Sequence, residues 1–392
     1  MQLMLLALLG GIAVADAAPA DAQTASGRCV TEVAAPGMAV SHCSPPPPVA
    51  VKGRSIPANS VMAPEPSFVD RTPQARTPPP PAALQPYVRA GALSPGDYAW
   101  IRGRFPSASG EEKAAAASVQ SWLDACREAE VAETRASLAA VGIATPSLEE
   151  MPFRDRLCGQ VAGVHAGAAN FPSFETFQQA MRAAEPVAWT YLNAVRVAEG
   201  VARRQAETVR DELLARMVGE QAFRFAISWG HGDLAAGPQL SETAVTTLRA
   251  QVRAAAAERD RDNTKWLKSV VEKNGWPTIS SVGKNASQAA WLMLQYAGSD
   301  PGFQVRALKL MQPLVARDEV QRQHYAYAYD GVMLTLTGKQ RFGTDTSCRA
   351  GRWIVKPLED ESKVEAYRKA VGLPPLSEYL GQLQAAGQCR AR

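Results

Sequence analysis

Apolar residues recur every three or four positions along most of the chain beyond residue 109, which is the period of a helix that buries one face. The first such stretch begins where Ser109 and Glu112 have the spacing of a capping box, and it predicts a helix from Glu111 to Val141. Ser147 and Glu150 repeat this spacing. We therefore expect a second helix to begin there and to form a hairpin with the first.

The same helical period continues in the second half of the chain. Ser173 indicates a further helix start, and Pro186 is expected to open a long stretch with a solvated, charged middle. A helix beginning at Ser241 is expected to run to about Lys273, just before Gly275. The pattern predicts a mainly α protein, built as a multi-helix bundle or as stacked helical hairpins. Shorter helices are predicted over Ala286–Ala297, Pro301–Arg317 with Asp300 as the cap, Glu319–Thr337 and Glu361–Val371, and only Arg352–Val355 is strand-like.

The N-terminal part of the chain has a different pattern. Leu3–Val14 is a short apolar run followed by small residues in alanine-x-alanine order, which predicts a signal peptide over residues 1–22 with cleavage after Ala17 or Ala22. The run is too short to cross a bilayer, so no transmembrane span is expected in the mature chain. Fifteen of the 28 prolines lie between residues 36 and 95. Residues 23–96 are therefore expected to be a disordered proline-rich segment, followed by a helical region over 97–240 and a helical domain over 241–392.

Composition and charge narrow the function classes. The formal net charge is +4 and no long run of like charges occurs, so nucleic-acid binding is not expected. The sequence contains no HExxH, CxxC, P-loop or GxSxG motif, and the glycines from Gly159 to Gly167 are too loosely spaced for a dinucleotide fingerprint and are helix-like. We therefore predict no metal site and no cofactor.

Six cysteines indicate structural disulfides and an oxidising compartment. Fifteen connectivities are open to six cysteines. The set with the shortest loops pairs each cysteine within its own segment, and the expected location of the protein is periplasmic or secreted. These pairs are Cys29–Cys43, Cys126–Cys158 and Cys348–Cys389.

A set of spaced motifs between Asp260 and Leu380 resembles the bacterial family known as domain of unknown function 6624. The likeness covers roughly a third of the chain. It implies a fold more strongly than an activity, since the family carries no established reaction. The matching motifs are Asp262-Asn263, Leu267, Gly275-Trp276-Pro277, Val282-Gly283, Gln295-Tyr296-Ala297, Asp300, Phe303-Gln304, Asp330, Gln340 to Thr344, Val371 to Leu373 and Glu378 to Leu380.

Several polar positions of the family pattern are altered in this chain. The family usually has histidine at the position of Tyr296, arginine at Gly331, tyrosine at Phe342 and glutamine at Asp345. If those side chains form a functional site in the family, part of that site is absent from this chain. The resemblance thus favours a role in binding over catalysis.

The residue types around Asp330 and Gln340 also indicate a candidate site, independently of the family resemblance. Gln340 and Thr344 lie in a glycine-bounded loop whose backbone can approach a ligand closely, and Asp330 lies in a predicted helix rich in tyrosine. A cleft lined by Tyr296, Asp330, Gln340 and Asp345 would hold carboxylates for acid/base chemistry and an amide that orients a substrate. The alternative is structural: Asp330 caps or ion-pairs with a neighbouring helix and the loop is only a turn.

These observations favour one function and leave two others open. The favoured hypothesis is an exported helical protein that binds a partner or ligand of the cell envelope without catalysis. The second is a hydrolase-like enzyme that acts on an envelope component, with Asp330 as the general acid/base. The third is a secreted effector. Candidate ligand-binding residues are Tyr296, Gln340, Thr344, Asp345, Trp276 and Asn263.

Overall fold

The computed structural model describes residues 77–94, 96–149, 151–227, 240–386 and 389, together with the backbone of 29–35 and 38–43. The predicted signal peptide and most of the proline-rich segment lie outside these residues. The chain divides into two units, residues 1–67 and 68–392.

The first unit contains an antiparallel pair of strands, β1 (Cys29–Ala35) and β2 (Met38–Cys43). The proline-rich composition of this part of the chain did not predict them. Their register places the backbone of Cys29 opposite that of Cys43. The predicted Cys29–Cys43 disulfide depends on side chains outside the described residues and stays a prediction.

The second unit is mainly helical, which confirms the predicted fold class. Among the described residues of this unit, the strands form two short antiparallel pairs and the helices contribute most of the buried residues. The strands are β3 (Val88–Arg89), β4 (Ala92–Leu93), β5 (Thr346–Arg349) and β6 (Arg352–Val355). The helices are α1 (Gly110–Ala139), α2 (Arg156–Ala168), α3 (Phe174–Arg204), α4 (Val209–Ile227), α5 (Glu242–Asn274), α6 (Ile279–Val282), α7 (Lys284–Gln295), α8 (Pro301–Val315), α9 (Arg322–Thr337), α10 (Val364–Ala370) and α11 (Leu376–Ala385).

Side-chain caps define four of the predicted helix starts. At α1, Ser109 accepts a hydrogen bond from the Glu112 amide, and the Glu112 carboxylate accepts one from the Ser109 amide. Ser173 and Thr176 form the same reciprocal pair at α3, while Ser241 accepts from the Ala244 amide at α5 and Asp300 accepts from the Phe303 amide at α8. A cap satisfies backbone N–H groups that have no partner inside the helix, so polar residues at these positions locate helix starts well.

Two predicted helix starts are wrong. No helix begins at Ser147, because its amide donates to the carbonyl of Leu336 on α9 and holds this segment against another part of the fold. Helix α2 begins instead at Arg156, where the Asp155 carboxylate accepts from the Cys158 amide. Pro186 does not open a helix but lies inside α3, which continues through it from Phe174 to Arg204.

Three clusters of buried apolar side chains hold the second unit together. One lies among α5, α7, α8 and α9, and another lies among α3, α4 and α5. The third joins α1, α2 and the start of α3 to the segment before them, in which Leu84 is fully buried. Residues 77–94, which the sequence assigned to the proline-rich segment, therefore contribute to a core.

Two of the predicted disulfides are confirmed. Cys126 of α1 is bonded to Cys158 of α2, and Cys348 of β5 is bonded to Cys389. The first links two helices of the third cluster. The second ties the C-terminal end of the chain to the β5–β6 hairpin.

Helix α5 is the longest helix described, and it contacts α2, α3, α4 and α7. Buried charges fix its position: Glu199 of α3 is almost completely buried and lies 2.9 Å from Arg259 of α5. Gly219 of α4 leaves room for this carboxylate, since a Cβ at that position would overlap with it.

Candidate functional site

The Asp330 carboxylate holds the loop that follows α9. Its Oδ1 accepts hydrogen bonds from the amides of Arg341 at 2.8 Å and Phe342 at 2.9 Å. Its Oδ2 accepts from the amide and the hydroxyl of Thr344, both at 2.9 Å. Asp330 is fully buried, and burial raises the pKa of its carboxyl, while these hydrogen bonds oppose the rise.

The Gln340 side chain closes the same loop from inside. Its Nε2 donates to the carbonyls of Asp345 at 2.8 Å and Lys356 at 3.0 Å, and its Oε1 accepts from the Asp345 amide at 2.9 Å. The Asp345 carboxylate lies 3.2 Å from Nζ of Lys356. The structure thus brings Asp330, Gln340, Thr344 and Asp345 together, as hydrogen-bonded parts of one folded loop.

Tyr296 belongs to a different cluster, at the C-terminal end of α7. Arg224 of α4 donates from Nη2 to both carboxylate oxygens of Asp260, at 2.6 and 2.7 Å, and from Nε to Glu220 at 2.9 Å. Its guanidinium carbon lies 3.7 Å from the centroid of the Tyr296 ring. Burial raises the pKa of Asp260 to about 6 and raises that of Glu220, because one arginine is shared by two carboxylates away from water.

Asn263 and Trp276 are also buried in the interior. Asn263 accepts a hydrogen bond from Arg216 of α4 at 3.0 Å, and Arg216 also pairs with Glu212 and Asp262. Trp276 packs in the cluster among α5, α7, α8 and α9. The predicted site residues are therefore distributed over separate buried networks, and none of them lines the large groove of the molecule.

That groove has a volume of about 1470 Å³ and runs along α5. Residues from Thr246 to Glu272 line its floor, a stretch about 40 Å long at 1.5 Å per residue. Helix α2 forms the facing wall, and α1 and α3 contribute to its ends. Sequence analysis did not identify this groove.

The space between the walls of the groove is left unfilled because both helices present small side chains to it. Helix α2 contributes Gly163 and Gly167, and α5 contributes Ala250, Ala254 and Ala255. A Cβ added at Gly163 or Gly167 would meet nothing within 4 Å. The signal in the sequence was the four-residue spacing of Gly159, Gly163 and Gly167, which places the three glycines on one face of a helix.

The part of the chain that the structure describes contains neither a metal-binding cluster nor a membrane-spanning helix. No group of three or more histidine, cysteine, aspartate or glutamate side chains there is arranged to hold a metal ion. No helix there has the length and apolar character needed to cross a bilayer.

Residues 210–391 match the model of a family of unknown function (DUF6624). The match confirms the resemblance indicated by the motifs between Asp260 and Leu380, and it extends toward the N-terminus to include almost all of α4. Neither the curated proteins nor the solved structures contain a match to the chain. Since α2 precedes the matched residues and α5 lies within them, the groove forms where the family region meets the helices before it.

Replacing Asp330 is expected to cost stability. Asp330→Ala leaves three buried amides without their acceptor and should lower the free energy of unfolding by about 3–5 kcal/mol, measured by urea denaturation. Asp330→Asn should lower it by about 1–3 kcal/mol, because an amide cannot accept all four hydrogen bonds. The matched control is Glu361→Ala at an exposed carboxylate, expected to change stability by no more than about 0.5 kcal/mol. An Asp330→Asn protein with unchanged stability would contradict this structural role.

The Arg224 cluster predicts a pH dependence of stability. The pKa of Asp260 is about 6 in the folded protein, above its ordinary value of 3.8, so its contribution to stability is complete below 3.8 and is lost as the pH rises through 6. Between pH 7 and pH 4 this group should add up to about 3 kcal/mol to the free energy of unfolding. Asp260→Asn should remove that part of the pH profile. Parallel profiles for the two proteins would show that the carboxyl takes up no proton in this range.

Proposed function

We propose that this chain is an exported binding protein that acts without catalysis, and that the groove along α5 holds its ligand. Pockets for small molecules typically have volumes of about 300–1,000 Å³. The groove is larger than this range and is open along α5. These dimensions suit an elongated ligand.

The observation that carries the proposal is the glycine face of α2. Glycine inside a helix is less favourable than alanine by about 1 kcal/mol, so a helix retains it where a side chain would interfere. No other element packs closely against Gly163 or Gly167, since nothing lies within 4 Å of an added Cβ at either position. What these glycines provide is the width of the groove.

The geometry of the Asp330 loop supports binding rather than catalysis. A general acid/base must exchange a proton with a substrate within hydrogen-bonding distance. The Asp330 oxygens already accept hydrogen bonds from the amides of Arg341, Phe342 and Thr344 and from the Thr344 hydroxyl, and the residue is fully buried. The acid/base hypothesis for Asp330 has no support from this arrangement.

Export is supported by two independent features. The predicted signal peptide over residues 1–22 directs a chain out of the cytoplasm. The Cys126–Cys158 and Cys348–Cys389 disulfides suit an oxidising compartment such as the periplasm or the exterior. The proline-rich segment then has the composition of a spacer that positions the helical unit within the envelope. A secreted effector would share these features and would differ in its final location.

Export is tested by expressing the full chain in a bacterium with two membranes and separating the periplasm, the cytoplasm and the medium. The protein is expected in the periplasm with its N-terminus at Ala18 or Gln23, determined by mass spectrometry of the intact chain. Recovery from the medium would favour the effector hypothesis. A cytoplasmic protein that retains residues 1–22 would contradict export.

Filling the groove should abolish ligand binding without unfolding the protein. The probe is the dye 1-anilinonaphthalene-8-sulfonate, whose fluorescence rises in apolar surroundings. Gly163→Leu projects a side chain into the groove and should weaken dye binding at least tenfold, while the higher helix propensity of leucine keeps the protein as stable as the wild type.

The matched control is Gly381→Leu in α11, since that glycine is also helical, exposed and has nothing within 4 Å of an added Cβ. This variant should bind the dye like the wild type. Equal dye binding by the wild type and Gly163→Leu would contradict the proposed role of the groove.

A further inference from the structure

The groove has an apolar part and a charged part, arranged along α5. The floor differs on the two sides of Glu258: the residues that line the groove between 246 and 255 are uncharged, and those between 258 and 272 carry most of the charges of the floor. Above the first part lie aromatic and aliphatic side chains from the loop before α3 and from α3 and α4. These are Phe171, Phe177, Met181, Leu192 and Phe223.

The apolar part offers few hydrogen bonds to a ligand. Its walls are helices, whose backbone N–H and C=O groups are paired within the helix. The amide of Gln251 is one of the few polar groups there, and its Nε2 faces the sulfur of Met181 at 3.8 Å. An extended peptide or a glycan would lose the hydration of its polar groups here without replacing it, whereas a hydrocarbon chain has no such groups to satisfy.

Most charges in the other part of the groove have partners. Arg156 pairs with Glu258, and Lys268 lies 2.9 Å from Asp300. Such pairs leave little net charge to attract a ligand.

Two cations near the boundary between the two parts, Lys265 and Arg196, have no acidic partner among the described residues. A third, Arg261, donates to the Phe153 carbonyl at 3.5 Å and interacts electrostatically with the carboxylates of Glu258, Asp260 and Asp155. The unpaired carboxylate of Glu272 lies seven residues beyond Lys265, about 10 Å farther along α5 and away from the apolar part. The boundary therefore favours an anionic group.

We propose that the groove binds a hydrocarbon chain that ends in an anionic group, with the chain between α2 and α5 and the anion beside Arg196, Arg261 and Lys265. This ligand class rests on the proposed function of the groove. A free fatty acid and a single-chain phospholipid share this chemistry. The floor from Thr246 to Glu258 is about 18 Å long, which accommodates an extended acyl chain.

The experiment measures binding to the full mature chain by calorimetric titration with laurate, with lauroyl lysophosphatidylglycerol and with dodecyltrimethylammonium, each below its micellar concentration. The two anions are expected to bind at least tenfold more tightly than the cation of matched chain length. The anion that binds more tightly shows whether the ligand is a fatty acid or a single-chain phospholipid. Each anion should also displace anilinonaphthalene sulfonate from the wild type.

A pair of lysine variants tests the position of the anion. Lys265→Gln should weaken laurate binding about threefold to tenfold, because it removes an exposed charge at the boundary. Lys273→Gln is the matched control, since it removes an exposed lysine of the same helix that does not line the groove and should leave the affinity unchanged.

The outcomes separate the two proposals. Groove-dependent dye binding without binding of either anion, or equal affinity for the two anions and the ammonium compound, would overturn the ligand class and leave the groove as a binding site. Tighter groove-dependent binding of an apolar peptide than of laurate would do the same. Failure of both the dye and laurate to bind would overturn the proposed function, and the ligand class with it.

Discussion

The position of α5 depends on charges that cannot be left unpaired. Glu199 and Glu220 are almost completely buried, and a buried carboxylate without a cation is strongly destabilising. Arg259 of α5 forms an ion pair with Glu199. Arg224 of α4 forms ion pairs with Glu220 and with Asp260 of α5. A shift of one helix along another would break several of these pairs together. The ion pairs therefore set the register of α3, α4 and α5.

A helix fixed in this way on one side can leave its other side open. The facing surfaces of α2 and α5 carry glycine and alanine, whose small side chains leave the space between the two helices open. The Cys126–Cys158 disulfide joins α2 to α1 and thereby supports the far wall independently of α5. The groove therefore depends on two supports, the ion pairs that hold α5 and the disulfide that holds α2. Helix α5 lies within the residues that match the family model, 210–391, and α2 lies before them.

At the candidate site, some predictions made from the sequence agree with the tertiary structure and others do not. The pattern placed Asp330 in a helix and Gln340 and Thr344 in a loop, and those assignments agree with the structure. It also grouped Tyr296 with them, but Tyr296 lies against Arg224. Residues on separate helices meet only through packing, and spacing along the chain carries no information on which helix faces which. For the same reason, the sequence could not predict which helices line the groove.

The sequence by itself determined the local structure: capping residues such as Ser109, Ser241 and Asp300 begin their helices, because a cap needs only neighbours three residues away. It also indicated the pairing of Cys126 with Cys158 and of Cys348 with Cys389 through short loops. Only the tertiary structure decided that Asp330 is enclosed by a loop and that Gly163 and Gly167 face open space. These outcomes depend on contacts between distant parts of the chain, which no local pattern encodes.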